Sequence, residues 1–213
     1  MKENNILINK WEISQVIDKV FWKSLNKKIV LESDSNLKYL IVSSWSDINL
    51  DFSVFGDWAV VEFYGIFLSK NKEEIKWNIS VNLKNSYTKA NVYLLSLMGD
   101  GAIVKVKWNI DIQEWIKSVN AYLLEENIVL WEKIKINTLP ILNVSSNDVS
   151  AWHGAKIQRL DSDKLFYMMA KWLSDKKSKE IIISWYVSYI LEKFSIVEQE
   201  KKEIENLILD YLL

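Results

Sequence analysis

The sequence predicts a mainly β fold that ends in a small α-helical part, and three observations carry that reading. From about Lys28 to Val149, apolar and polar residues alternate in short β-branched runs. After Asp161 the apolar spacing lengthens to a helical period. No helical stripe interrupts the middle of the chain, which excludes an alternating βαβ architecture. At 213 residues and 25.1 kDa the chain can hold one sizeable domain, or a core with an appendage. Its 49% hydrophobic and 26% charged content is that of a globular chain.

Residues 1–28 form an N-terminal segment that reads two ways. Ile13, Val16, Ile17, Val20 and Phe21 would line one face of a helix, provided that Trp11 and Trp22 belong in it. Residues 29–158 are the expected β core. Ile48-Asn49-Leu50-Asp51-Phe52-Ser53-Val54 alternates strictly, as do Ile79 to Leu83 and Ile103 to Lys107, and Ile110-Asp111-Ile112 and Ile134-Lys135-Ile136 continue the pattern. Two turn motifs recur. Gly56-Asp57-Trp58-Ala59-Val60-Val61 returns as Gly99-Asp100-Gly101-Ala102-Ile103-Val104, and Lys76-Trp77-Asn78-Ile79 as Lys107-Trp108-Asn109-Ile110. Recurring turns favour the stacked coils of a parallel β-helix. The spacings of 43 and 31 residues share no single period, so a β-sandwich stays open at this point.

Residues 159–213 are expected to form a helical domain. Asp161 can cap a helix carrying Leu165, Phe166 and Met169; Ser174 can cap a second with Ile182, Tyr186 and Tyr189 on one flank. A third places Ile204, Leu207, Ile208, Tyr211 and Leu212 on one side.

Eleven Trp stand against five Gly. Trp58 matches Gly101 in the first repeat, at the tip of a turn where glycine reaches positive φ without steric cost. Gly amounts to about 2% of the chain where about 7% is usual, and Gly with Trp together reach about 7.5%. The expectation is that many of these Trp are glycines of the functional protein, from UGA codons read with the wrong table; some bacterial lineages translate UGA as glycine.

A net charge of −1 argues against an electrostatically driven nucleic-acid binder. The absence of Cys excludes disulfides, zinc–cysteine sites and a thiolate nucleophile. Met1-Lys2-Glu3-Asn4-Asn5 leads into an apolar patch broken by Lys10 and Glu12, unlike a secretory leader. No run approaches 18 apolar residues. A cytoplasmic protein, bound to neither membrane nor nucleic acid, is expected.

The one histidine, His153, lies where the β pattern gives way to helix, followed by Gly154. Its imidazole can shuttle a proton or ligate a metal, and it is the only strong nitrogen ligand for iron in the chain. A carbohydrate-active or carbohydrate-binding β-helix is the alternative, with Asp100 and Asp111 as weak candidates for glycoside chemistry. A purely structural partner protein is a third.

With Trp152 and Trp172 read as Gly, the order Asp148-Val149, His153-Gly154-Ala155, Arg159-Leu160-Asp161, Leu165-Phe166-Tyr167, Gly-Leu173-Ser174 resembles the C-terminal signature of the SufB/SufD family. These are the scaffold subunits of SUF iron–sulfur cluster assembly. Leu139-Pro140-Ile141-Leu142 is similar to the segment before that family's last β rung, and His153 falls on the SufD-type histidine. The resemblance is dense from about Gly99 to Phe194. It departs at Ala170-Lys171-Trp172, which lacks an Arg, and at Trp152, where a small residue is expected beside His153. It implies a right-handed parallel β-helix core, a small helical domain and a scaffold without an ATPase motif of its own. It also implies a SufC-type ABC ATPase partner, which alone would use ATP, and pairing with a SufB-type paralogue or a second copy. A transient iron–sulfur cluster would form at that interface, with His153 as ligand or proton relay. Leu165, Phe166 and Tyr167 would face the ATPase side or simply pack their helix.

Overall fold

The computed structural model describes residues 4–131 and 133–213, and the charged start Met1-Lys2-Glu3 lies outside them. Its strands are β1 (Asn4–Ile8), β2 (Ile13–Phe21), β3 (Leu25–Leu31), β4 (Asn36–Ser44), β5 (Asp47–Val54) and β6 (Val60–Ser69). They continue as β7 (Glu74–Leu83), β8 (Lys89–Met98), β9 (Ile103–Ile112), β10 (Lys117–Val129), β11 (Lys135–Val144) and β12 (Asp148–Arg159). Helices α1 (Ser162–Ala170), α2 (Asp175–Leu191) and α3 (Glu198–Leu212) follow. Odd strands make one sheet, β1-β3-β5-β7-β9-β11, and even strands the other, β2-β4-β6-β8-β10-β12. Every pairing is parallel. The chain therefore winds from sheet to sheet and back, two strands to each turn of a coil. That is a parallel β-helix-like core, and the antiparallel sandwich is ruled out.

The uneven repeat spacing has a geometric cause. Asn4 lies beside Lys27 and Ile13 beside Asn36, so the first turns take 23 residues. Asp47 lies beside Lys76 and Val60 beside Lys89, turns of 29, while Ile103 lies beside Lys135, a turn of 32. The Gly56 motif sits at the β5–β6 corner and the Gly99 motif at the opposite β8–β9 corner. Their spacing of 43 residues spans one and a half turns. The Lys-Trp-Asn-Ile repeats are not turns at all. Trp77 and Trp108 sit inside β7 and β9 and are buried, and the register sets Ile79 beside Trp108.

Between the sheets lies the inner core. In β7 it takes Ile75, Trp77, Ile79, Val81 and Leu83, alternate residues as a pleated strand requires. A second core lies outside the even sheet. Leu40, Val42, Ile66, Leu68, Leu95 and Leu97 project there under Ile183, Val187, Ile190, Ile204 and Ile208 of α2 and α3. These strand ends are thus apolar on both faces.

That double burial corrects the helical reading of residues 13–21, which form β2. Val20 joins the inner core with Val16 packed against it, while Ile17 and Phe21 pack on the second core. Two superposed period-two faces imitate a helical spacing. The β pattern accordingly starts at Asn4, ahead of residue 29. Pro140 falls within β11, the edge strand of its sheet, where a missing N–H is tolerated.

Both helix caps read from sequence are present. Asp161 accepts from the N–H groups of Asp163 and Lys164, and Ser174 from that of Lys177 at 3.1 Å. The buried flank of α2 differs from the expected one: it is Ile183, Val187, Ile190 and Leu191, with Tyr189 exposed. In α3, Ile204, Ile208, Tyr211 and Leu212 are buried as expected, and Leu207 is exposed.

Candidate functional site

Among the described residues, the last turn of the coil consists of β11, paired only with β9, and β12, paired only with β10. Val149, Ala151, His153, Ala155 and Ile157 lie in register over Val119, Ala121, Leu123, Glu125 and Asn127. His153 therefore belongs to the row that faces the interior of the coil. With no further turn stacked over it, this residue is exposed rather than enclosed. The Trp108 indole packs edge-to-face against its imidazole, centroids 5.5 Å apart at 80°.

Strand geometry also settles the position of Trp152. Consecutive residues point to opposite faces, so its indole lies on the outer face, away from the imidazole. A Cβ on Gly154, two residues along on that face, would meet the indole at 2.6 Å. Gly154 is thus the residue whose side chain the Trp152 indole would exclude.

Beneath the last turn lies a carboxylate that the sequence reading missed. Glu125 is fully buried. It accepts hydrogen bonds from Trp108 Nε1 at 3.0 Å, Asn127 Nδ2 at 2.9 Å and Thr138 Oγ1 at 2.9 Å. All three donors are neutral, and no cation is among them. The available signal was phase: Glu125 continues the inward row Val119, Ala121, Leu123. Trp108 touches both Glu125 and His153, and so links the buried acid to the exposed imidazole.

Among the described residues, no three His, Cys, Asp or Glu side chains gather as a metal-binding group. His153 offers one nitrogen donor, so a cluster handled here would need further ligands from elsewhere. Asp100 and Asp111 are not brought together. Asp100 lies in the corner before β9, and Asp111 near the far end of that strand. Eight residues of extended chain from Ile103 alone span roughly 26 Å, well beyond the roughly 5–9.5 Å of a glycosidase pair. Asp111 instead accepts from Asn143 Nδ2 at 2.9 Å.

Helix α1 contains no buried residue. Phe166 is 75% and Tyr167 64% exposed, so the packing role considered for them is absent; Leu165 is half-buried. No helix among the described residues is long and apolar enough to cross a membrane.

Residues 12–185 match the family described as SUF system FeS cluster assembly, SufBD core domain. An iron-sulfur cluster assembly SufBD family protein of Synechocystis sp. is 34% identical over 77 residues, 36% of this chain and 17% of that protein. Protein ABCI7, chloroplastic, of Arabidopsis thaliana is 28% identical over 103 residues, 47% of this chain and 22% of its own length. The iron-sulfur cluster assembly protein SufD of Bacillus subtilis is 26% identical over 97 residues, 46% of this chain and 22% of its own. The matched segments span about a fifth of these relatives' lengths.

Proposed function

The chain belongs to the SufBD core family of the SUF iron–sulfur cluster assembly system, and from that premise we propose that it is a non-enzymatic scaffold subunit on which a nascent cluster is handled as cargo. The observation that carries this reading is the place of His153. It stands on the inward row of the final turn, at an open end where β11 and β12 have free edges. A second scaffold subunit, either a SufB-type paralogue or another copy of this chain, meets those edges. His153 then offers its imidazole to iron, or carries a proton, at the joint between subunits. The remaining ligands come from the other subunit.

A SufC-type ABC ATPase docks on the helical part, where the exposed Phe166 and Tyr167 of α1 supply apolar contact. The ATPase alone uses ATP, and the assembly works in the cytoplasm.

The test is cluster transfer to an acceptor apoprotein by the assembled complex. His153→Ala is expected to abolish transfer while ATPase capture persists. Undiminished transfer by that variant would remove the assigned role.

A further inference from the structure

We infer that glycine, not tryptophan, is the residue of the functional protein at positions 11, 22, 45, 58, 115 and 172. The six are selected by the backbone. Their φ angles are 66°, 54°, 36°, 63°, 66° and 68°, all in the left-handed region. Only a few per cent of non-glycine residues adopt it, because Cβ crowds the following carbonyl. Bulky aromatic character does not explain the choice. Among seven Phe and nine Tyr, Tyr87 alone has positive φ.

Nor does burial repay the strain. The six side chains are between 53% and 98% exposed; Trp58 stacks on Tyr87 at 4.3 Å, but both rings stand at the surface. What fixes the backbone is the coil itself. At one corner Trp11, Asp34, Trp58 and Tyr87 stack, their N–H groups donating to the carbonyls of Ser33, Asp57, Ser86 and Lys117 in the next turn. At the other, Trp22 donates to Ser44 at 3.2 Å. Gly101, which the sequence repeat matches to Trp58, lies at this second corner, between β8 and β9, and has φ 69°.

Trp172 shows the same thing in a different setting. After α1, its N–H donates to Met169 O at 3.0 Å and that of Leu173 to Met168 O at 3.4 Å. This pair of bonds is the Schellman closure, whose left-handed residue is ordinarily glycine. Here an indole stands there, 98% exposed. Of the remaining tryptophans, Trp77, Trp108, Trp152 and Trp185 sit in strands or helices that any residue adopts, and Trp131, in the bend after β10, is not among the residues of positive φ. The inference stops at the six.

In coding terms, UGA is translated as glycine at these sites, and the chain depends on a glycine-charged tRNA that reads UGA. Peptide mass spectrometry of the protein purified from its own cells reads the residues directly. Glycine in the six peptides is expected, and intact tryptophan in them overturns the inference. Thermal melting supplies a second measurement on recombinant chain. Trp58→Gly, Trp115→Gly and Trp172→Gly are each expected to raise the melting temperature by about 2–4 °C and to exceed the Ala variant at the same site. A glycine series no more stable than the tryptophan chain, or no better than the alanine series, counts against it. Neither measurement involves cluster assembly, so the outcome is separate from that of the proposed function.

Discussion

Two indoles in the inner core show how much a single hydrogen bond decides. Trp108 donates to the buried Glu125. Trp77 is just as deep, yet its Nε1 has no partner among the described residues, and its ring lies 3.5 Å from that of Phe67, centroid to centroid. Aromatic pairs ordinarily keep about 4.5–7 Å. The same substitution should therefore act oppositely at the two sites. Trp108→Phe deprives a buried carboxylate of a donor and is expected to cost about 1–3 kcal/mol. Trp77→Phe removes an unpaired buried donor and relieves the close ring contact, and is expected to leave stability unchanged or higher. Urea unfolding of both variants checks this. Equal losses at the two sites would show that indole volume, not hydrogen bonding, governs the pair. Neither environment was legible beforehand, because a shared Lys-Trp-Asn-Ile motif says nothing of what lies across the core.

At the scale of elements, the helix starts were readable because a cap is a local device. Asp161 and its two acceptor bonds lie within four residues of one another. The hydrogen bond from the Lys164 N–H, helped by that of Asp163 and by the Lys164 charge, holds the Asp161 carboxyl below its ordinary value. A depressed carboxyl pKa favours the folded form above the unfolded value of about 3.9. That contribution disappears as pH falls through the lower folded value. The start of α1 is therefore expected to fray on acidification below about pH 4, seen in the amide shifts of Asp163 and Lys164. Asp161→Asn keeps a capping oxygen and should abolish that acid step; a step that survives in the Asn variant would place its cause elsewhere. The buried flank of α2 was misread because its surroundings are remote in sequence. Ile183, Val187 and Ile190 are chosen by the outer face of strands more than fifty residues away.

For the whole molecule, stacking makes the core continuous along the coil. Tyr39, Phe52 and Phe63 come from β4, β5 and β6 and join both sheets, with centroids 5.6 Å, 5.7 Å and 5.2 Å apart. Phe63→Ala leaves a cavity at this junction and is expected to lower global stability by about 3–5 kcal/mol. Denaturant unfolding should show the loss in one transition followed by strand and helix signals alike. A helix signal unaffected by the substitution would mean that the two cores unfold separately. Coil turns that lengthen from 23 to 32 residues explain why no repeat period was legible: the strands stay in register while the corners absorb the extra chain.

What the sequence determined by itself was everything carried by near neighbours. Alternation gave the strands from Ile48 onward, Asp161 and Ser174 gave the helix starts, and the Trp58–Gly101 correspondence marked left-handed corners. Only the tertiary structure decided what depends on distant partners. It made residues 13–21 a strand between two cores, drew Glu125 beneath the last turn, and left His153 at an open end. Alternation states that a strand has two faces, but which face is covered, and by what, is set by chain that returns dozens of residues later.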